Sequence, residues 1–176
     1  MTTSDEALAL AAAGGDAEAF SVLISRHYDR VFRLAFRLTG VRAEAEDLTQ
    51  DICAALPAKI RAFRGDAKFT TWLYRVAMNA SHDRRRRAAS HARAADGWGE
   101  IELARRAEAA EAAEAMDWLS AAMATLPMDL RDTVALVMDD MTHAEAAHIL
   151  DVSEGTISWR MSEVKKRLRE MKESLA

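Results

Sequence analysis

The chain of 176 residues has little of what interrupts helices or cross-links a fold. It contains two prolines and seven glycines, while half of its residues are hydrophobic and many of these are alanine, so good helix formers dominate. We therefore expect an all-α fold. The single cysteine, Cys53, excludes an internal disulfide bond, which fits the reducing cytosol and predicts a cytoplasmic protein.

Several functional classes also lack their sequence signatures. The N-terminal region has no basic stretch and only a short apolar run, so we expect neither a signal peptide nor insertion into a membrane. There is no phosphate-binding glycine loop and no nucleophile–base arrangement. His143 and His148 are five residues apart, which does not place two ligands on one helix face. We predict no catalytic residues, no metal site and no cofactor.

What the sequence does have is charge sorted into blocks. The net charge is −4, but between Lys59 and Arg93 ten basic residues face only two acids. From Ala94 to Asp117 the balance reverses, with seven acids against two arginines. Blocks of opposite sign indicate different partners for different faces of the protein.

The stretch from Thr142 to Met171 predicts two helices joined by a tight turn. Thr142 and Glu145 form a capping box for the first helix, Asp151-Val152 makes the turn, and Ser153 caps the second helix. Along that second helix the apolar residues recur at helical spacing: Ile157, Met161, Val164, Leu168 and Met171. This is the helix-turn-helix plan, in which the second helix enters the major groove of DNA. The alternative is an ordinary helical hairpin with a solvated charged face.

A second polar pattern lies on the predicted helix that carries four consecutive arginines. Arg75, Asn79, Asp83 and Arg87 recur every four residues and form one polar stripe. The stripe is either a solvated face with an Asp–Arg pair, or a nucleic-acid surface on which arginines contact phosphates and Asn79 contacts bases. We favour the nucleic-acid surface, because four consecutive arginines repel one another on a merely solvated helix.

Breaks in the helical periodicity divide the chain into three parts. We predict a helical domain over residues 1–92, a linker over 93–114 and a second helical domain over 115–176. In the first domain, Pro57 should interrupt the helix that begins near Arg42. In the second, we interpret the paired acids Asp139 and Asp140 as the solvated end of a helix.

Three motifs together carry a family resemblance. AEAEDLTQDI begins at Ala43, FTTWLYRVAMNASHDRRRR at Phe69 and LRDTVALVMDDMTHAEAAHILDVSEGTISWRM at Leu130. In this order and spacing they resemble regions 2.2, 2.3–2.4 and 4.1–4.2 of bacterial sigma factors of the extracytoplasmic-function (ECF) type, which belong to the sigma-70 family. The resemblance covers nearly the whole chain and implies two small helical domains, sigma region 2 and sigma region 4.

The resemblance implies a transcription initiation factor with no catalytic residues of its own. In this family, region 2.2 grips the coiled coil of the β′ subunit of core RNA polymerase, and the β subunit is a further partner. The implied polymerase-binding residues are Asp47, Gln50 and Asp51. Region 2.3–2.4 of the family opens the minus-ten promoter element and holds bases flipped out of the stack. The implied minus-ten residues are Arg75, Asn79, Asp83, Arg84 and Arg87.

The second domain would recognise the minus-thirty-five element with the helix that follows Ser153. The implied DNA-binding residues are Thr156, Ser158, Trp159, Arg160, Lys165 and Lys166. Trp159 departs from the family, which usually has a small serine there, and it either packs on a thymine methyl group or turns inward to close the core. Cys53 stands where the family often has phenylalanine. We interpret it as a buried thiol, with a redox sensor as the alternative.

The implied partners are core RNA polymerase, promoter DNA and an anti-sigma factor. The rival interpretation is a stand-alone helix-turn-helix regulator whose N-terminal half binds an effector or forms a dimer, which would favour a palindromic operator. The acidic DLTQD face and the arginine stripe have no evident task in that rival. An enzyme acting on nucleic acid is a third class, and the missing metal or acid–base site counts against it.

Overall fold

The computed structural model describes residues 3–94 and 118–174, and every regular element within these ranges is helical. The N-terminal part contains α1 (Asp5–Ala13), α2 (Ala17–Thr39), α3 (Arg42–Lys59), a 3₁₀ turn (Ile60–Ala62) and α4 (Phe69–Ala94). The C-terminal part contains α5 (Trp118–Thr125), α6 (Met128–Val137), α7 (His143–Leu150) and α8 (Glu154–Ser174). The predicted all-α class is confirmed. The predicted linker lies outside the described residues, except at its first two positions.

Local signals set the ends of the long helices. Asp16 Oδ1 accepts hydrogen bonds from two backbone amides at the start of α2, each at 3.0 Å. Gly40 ends α2 at φ 73°, a left-handed conformation that glycine adopts without a steric penalty. The predicted interruption at Pro57 is wrong, since α3 runs through it to Lys59. Pro57 lies in the last turn of α3, so its missing amide proton removes only one hydrogen bond near the helix end.

Fully buried side chains join the helices of both parts into one apolar core. Leu23, Leu48 and Phe69 from the N-terminal part belong to the same cluster as Leu136 and Ile157 from the C-terminal part. Burying a side chain of this size contributes about 1.5–3 kcal/mol. The core therefore holds the two parts together as well as the helices within each part.

The two parts pack through a defined set of helices. α5 and α6 lie against α2, and α7 lies against α4, while α8 packs mainly on α6 and α7. The outer face of α8 is left open to solvent by this arrangement. Over the described residues, no helix has an apolar stretch long enough to span a bilayer.

Candidate nucleic-acid and polymerase interfaces

The predicted minus-ten stripe lies on one side of α4. Arg75, Asn79 and Arg87 are exposed, and successive members of the stripe are separated by about 6 Å along the helix axis. Asp83 is half-buried, and its carboxylate accepts a hydrogen bond from Arg86. The opposite side of α4 is buried in the core, which fixes the direction in which the stripe faces.

Arg84 connects two of the predicted surfaces. Its Nη1 donates to Oδ2 of Asp51 at 3.0 Å, and its Nη2 donates to Oδ2 of Asp47 at 3.2 Å. Both aspartate side chains remain more than half exposed, at 63% and 56%, and Gln50 is exposed beside them. The predicted polymerase-binding residues and one predicted minus-ten residue therefore form a continuous charged surface across α3 and α4. Exposed pairs of this kind contribute about 0–1 kcal/mol, so these groups are available to other partners.

The helix-turn-helix has the geometry that its capping residues predict. Thr142 Oγ1 accepts a hydrogen bond from the Glu145 amide at 3.1 Å, and the Glu145 carboxylate accepts one from the Thr142 amide at 2.9 Å. That second bond is the first cause of a Glu145 pKa below its ordinary value. Asp151 ends α7 with φ 56°, and Ser153 Oγ accepts from the Thr156 amide at 3.1 Å. These contacts set the angle between α7 and α8.

Most of the predicted minus-thirty-five residues face outward from α8. Ser158, Trp159, Lys165 and Lys166 are exposed, and Thr156 is half-buried at the start of the helix. Trp159 is 61% exposed, which excludes the alternative that it turns inward to close the core. A large aromatic ring is therefore presented to solvent in the first third of the helix, where helix-turn-helix proteins meet base edges.

Arg160 does not lie on this outward face. Its Nε is 3.6 Å from Oδ2 of Asp129, and its Nη1 donates at 3.5 Å to Oγ1 of Thr133, both on α6. Its side chain is 17% exposed. Arg160 follows buried Ile157 by three residues and precedes buried Val164 by four, so the helical period puts it on the inner side of α8.

An acid that no local sequence pattern indicates lies between the two parts of the chain. Asp139 was expected at a solvated helix end, and that interpretation is wrong because the residue is only 6% exposed. Its carboxylate accepts hydrogen bonds from Arg37 Nη1 at 2.8 Å, from Arg30 Nε at 3.2 Å and from the Tyr74 hydroxyl. Asp140, its neighbour, is exposed as expected.

Asp132 on α6 is a second buried acid at this contact. Arg85 on α4 donates two hydrogen bonds to its carboxylate, at 3.1 and 2.9 Å, and His82 Nε2 donates a third at 2.8 Å. Burial by itself raises the pKa of Asp132, but the hydrogen bonds from His82 and Arg85 outweigh it and the net shift is downward. Asp132 lies within α6, whereas Asp139 follows the end of that helix at Val137, so no helical spacing in the sequence connects the two acids.

Cys53 is half-buried in α3, and this burial raises the pKa of its thiol. A raised pKa leaves less of the thiolate, which is the reactive form of cysteine. This supports the buried-thiol interpretation over the redox sensor. Within the described ranges, no three side chains of His, Cys, Asp or Glu are grouped so that they could hold a metal ion.

Both parts of the chain match regions of one protein family. The family model Sigma-70 region 2 matches residues 23–91, and Sigma-70, region 4 matches residues 116–168. The ECF RNA polymerase sigma factor SigM of Mycobacterium tuberculosis is 33% identical over 168 residues, which cover 94% of this chain and 83% of SigM. SigW of Bacillus subtilis is 27% identical and covers 88% of this chain and 89% of its own length.

The solved structures that share the fold include two complexes. CnrH in complex with the cytosolic domain of CnrY superposes with a TM-score of 0.72 at 24% identity, covering 98% of this chain and 99% of CnrH. RpoE in complex with the anti-sigma factor NepR, from Bartonella quintana, superposes with a TM-score of 0.73 at 21% identity, covering 89% of this chain and 98% of RpoE. Since both sigma regions match in order and SigM is similar over nearly the whole chain, the protein belongs to the ECF sigma factors of the sigma-70 family, which are non-enzymatic factors for transcription initiation.

Proposed function

We propose that this alternative sigma factor binds core RNA polymerase through α3, recognises a minus-thirty-five element with α8 and holds the melted minus-ten element on α4. The observation that carries the proposal is the exposure of three charged or polar surfaces on the matching sigma regions of one chain. A stand-alone regulator is not favoured, because it would need only the helix-turn-helix. We infer that the factor works in the cytoplasm, where RNA polymerase is found.

In vitro transcription with core polymerase on genomic fragments tests this function. Transcripts that require the added factor should start downstream of a small set of related promoters. Binding to a palindromic operator without polymerase, and no factor-dependent transcript, would instead support the stand-alone regulator.

We also propose that an anti-sigma factor binds this protein. RpoE of Bartonella quintana, which has the same fold, was solved with the anti-sigma factor NepR. Affinity purification of the factor from its own cells under non-inducing conditions should recover such a partner. A factor that is recovered only with core polymerase would count against it.

Asn79→Ala is expected to reduce open-complex formation more than closed-complex formation. The exposed Asn79 amide is proposed to contact a flipped base, and such a contact forms only after the duplex has melted. Permanganate reactivity of promoter thymines measures melting, while electrophoretic mobility at low temperature measures initial binding. Ser90→Ala, on the exposed surface of the same helix, is the control. Normal melting with weaker initial binding would make the stripe a general phosphate surface instead.

Trp159→Ser is expected to change promoter preference without lowering the melting temperature, because the exposed ring contributes little to the core. Lys166→Ala should weaken binding to all promoters alike. It should also lower the salt slope, which is the steepness with which log affinity falls with log salt concentration, by about one, as expected for a phosphate contact. Selection from a randomised promoter library separates the two effects. A lower melting temperature with unchanged preference for Trp159→Ser would contradict the proposed base contact.

For Arg160 we propose a role through the position of α8. Its contacts with Asp129 and Thr133 tie the first turns of α8 to α6. The neighbouring exposed residues, Ser158 and Trp159, would then make the base contacts that the resemblance implies for Arg160 itself.

A further inference from the structure

At the contact between the N-terminal and C-terminal parts, the acids come from one part and their basic partners come from the other. In the ion pairs that cross it within residues 3–94 and 118–174, the acids belong to the C-terminal part: Asp132, Asp139 and Glu145. The cationic partners belong to the N-terminal part: Arg30, Arg37, Lys68 and Arg85. His82, also of the N-terminal part, donates a hydrogen bond to Asp132. The N-terminal part therefore presents a basic surface, and the C-terminal part covers it with carboxylates.

We propose that Arg30, Arg37 and Arg85 form a second phosphate-binding surface, which Asp132 and Asp139 occupy in this closed arrangement and which DNA occupies once the two parts separate. We call these three residues the covered arginine surface. The inference rests on the proposed DNA binding by α4 and extends it to α2.

The chemistry of the pairs suits an exchange of carboxylate for phosphate. Arg85 holds Asp132 with both terminal nitrogens, the forked geometry that guanidinium also uses for phosphate. Asp139 offers one oxygen to Arg30 and the other to Arg37. Each carboxylate thus takes the place that a phosphate with its additional oxygens would fill.

The closed arrangement leaves Arg85 incompletely satisfied. Its Nε is buried and has no hydrogen-bond partner in the described part of the chain. A buried donor without a partner is costly, and buried ion pairs lose much of their attraction to desolvation. The pairing of Arg85 with Asp132 is therefore replaceable by a ligand that offers more acceptors.

The covered arginine surface and the minus-ten stripe lie on different sides of α4, and the C-terminal part contacts both. Arg85 is two residues from both Asp83 and Arg87, so the helical period turns it away from the stripe and toward Asp132 on α6. Arg75, at one end of the stripe, has its Nη1 3.4 Å from Nε2 of His148 on α7. A DNA strand that crossed from the stripe toward α2 would meet the C-terminal part. The C-terminal part therefore occupies space that such a strand would need.

The test uses the full chain without polymerase and a fluorescein-labelled single strand of mixed sequence. Asp132→Asn combined with Asp139→Asn should bind the strand about tenfold more tightly than the wild type, measured by fluorescence anisotropy. Its salt slope should rise by about two, because each neutralised phosphate on a single strand contributes about 0.7. Asp29→Asn with Glu46→Gln changes the net charge equally at exposed positions that form no ion pair across the contact, and should have little effect.

A third substitution tests the arginine directly. Arg85→Ala in the Asp132→Asn, Asp139→Asn background should lower the salt slope by about 0.7, because one arginine–phosphate contact is lost. An unchanged salt slope in that background, or no gain from the paired substitution, would overturn the proposal.

A holoenzyme experiment covers the case in which the Asn variant fails to fold. With core polymerase bound, Arg85→Ala should lower the salt slope of promoter binding by about one. An unchanged slope overturns the proposal even when factor-dependent transcription is normal. Absent transcription by the wild type would instead refute the proposed function.

Discussion

Asp47→Ala combined with Asp51→Ala is expected to weaken binding to core polymerase by about tenfold or more while leaving the melting temperature nearly unchanged. Removing charged groups that become buried in an interface typically costs about 2–5 kcal/mol. In the free protein both side chains are more than half exposed, and surface substitutions usually shift stability by about 0.5 kcal/mol. Titration of labelled factor with core polymerase gives the affinity, and thermal unfolding gives the stability.

Two further variants make this result specific. Glu46→Ala removes an acid from the same helix that pairs with Arg42, and it should retain full affinity for polymerase. Arg84→Ala removes the shared partner of Asp47 and Asp51, and it should also retain affinity if those carboxylates contact polymerase by themselves. Polymerase affinity unchanged by the double aspartate substitution would refute the assignment of α3.

The other large effect is expected from the core beneath the recognition helix. Ile157 is fully buried in the first turn of α8. Ile157→Ala should lower the free energy of unfolding by about 2–5 kcal/mol, because less apolar surface is buried on folding and a cavity is left in the core. Such a loss is a large part of the roughly 5–15 kcal/mol that stabilises a typical folded domain. Thermal unfolding should show a clearly lower melting temperature, and binding to the minus-thirty-five element should fall with it.

The Trp159→Ser variant is the matched control for this effect. It removes a larger side chain two residues further along the same helix, but from an exposed position. If the two variants lost similar stability, the division of α8 into a buried and an exposed face would be wrong.

The features that the sequence could predict depend on residues close together in the chain. The capping box joins Thr142 to Glu145, and Ser153 caps through Thr156, so each contact spans three residues. Such contacts are local to the start of a helix and do not depend on the tertiary fold. The all-α class and the helix-turn-helix followed from signals of this kind.

The features that could not be predicted depend on distant contacts. Asp139 meets Arg37 and Arg30 from 102 and 109 residues away, and no local pattern distinguishes it from exposed Asp140. The inward position of Arg160 could be predicted, because its spacing from Ile157 and Val164 puts it on the buried side of α8. The family resemblance instead implies a DNA contact for Arg160, and it takes no account of the helix face on which the residue lies.

The apolar cluster shared by both parts of the chain gives their closure a dependence on temperature. Separating the parts would expose apolar surface to water, which raises the heat capacity of the opened protein. Apolar association also weakens on cooling. Cold alone should therefore shift this factor toward the open arrangement, with no change of sequence and no added ligand.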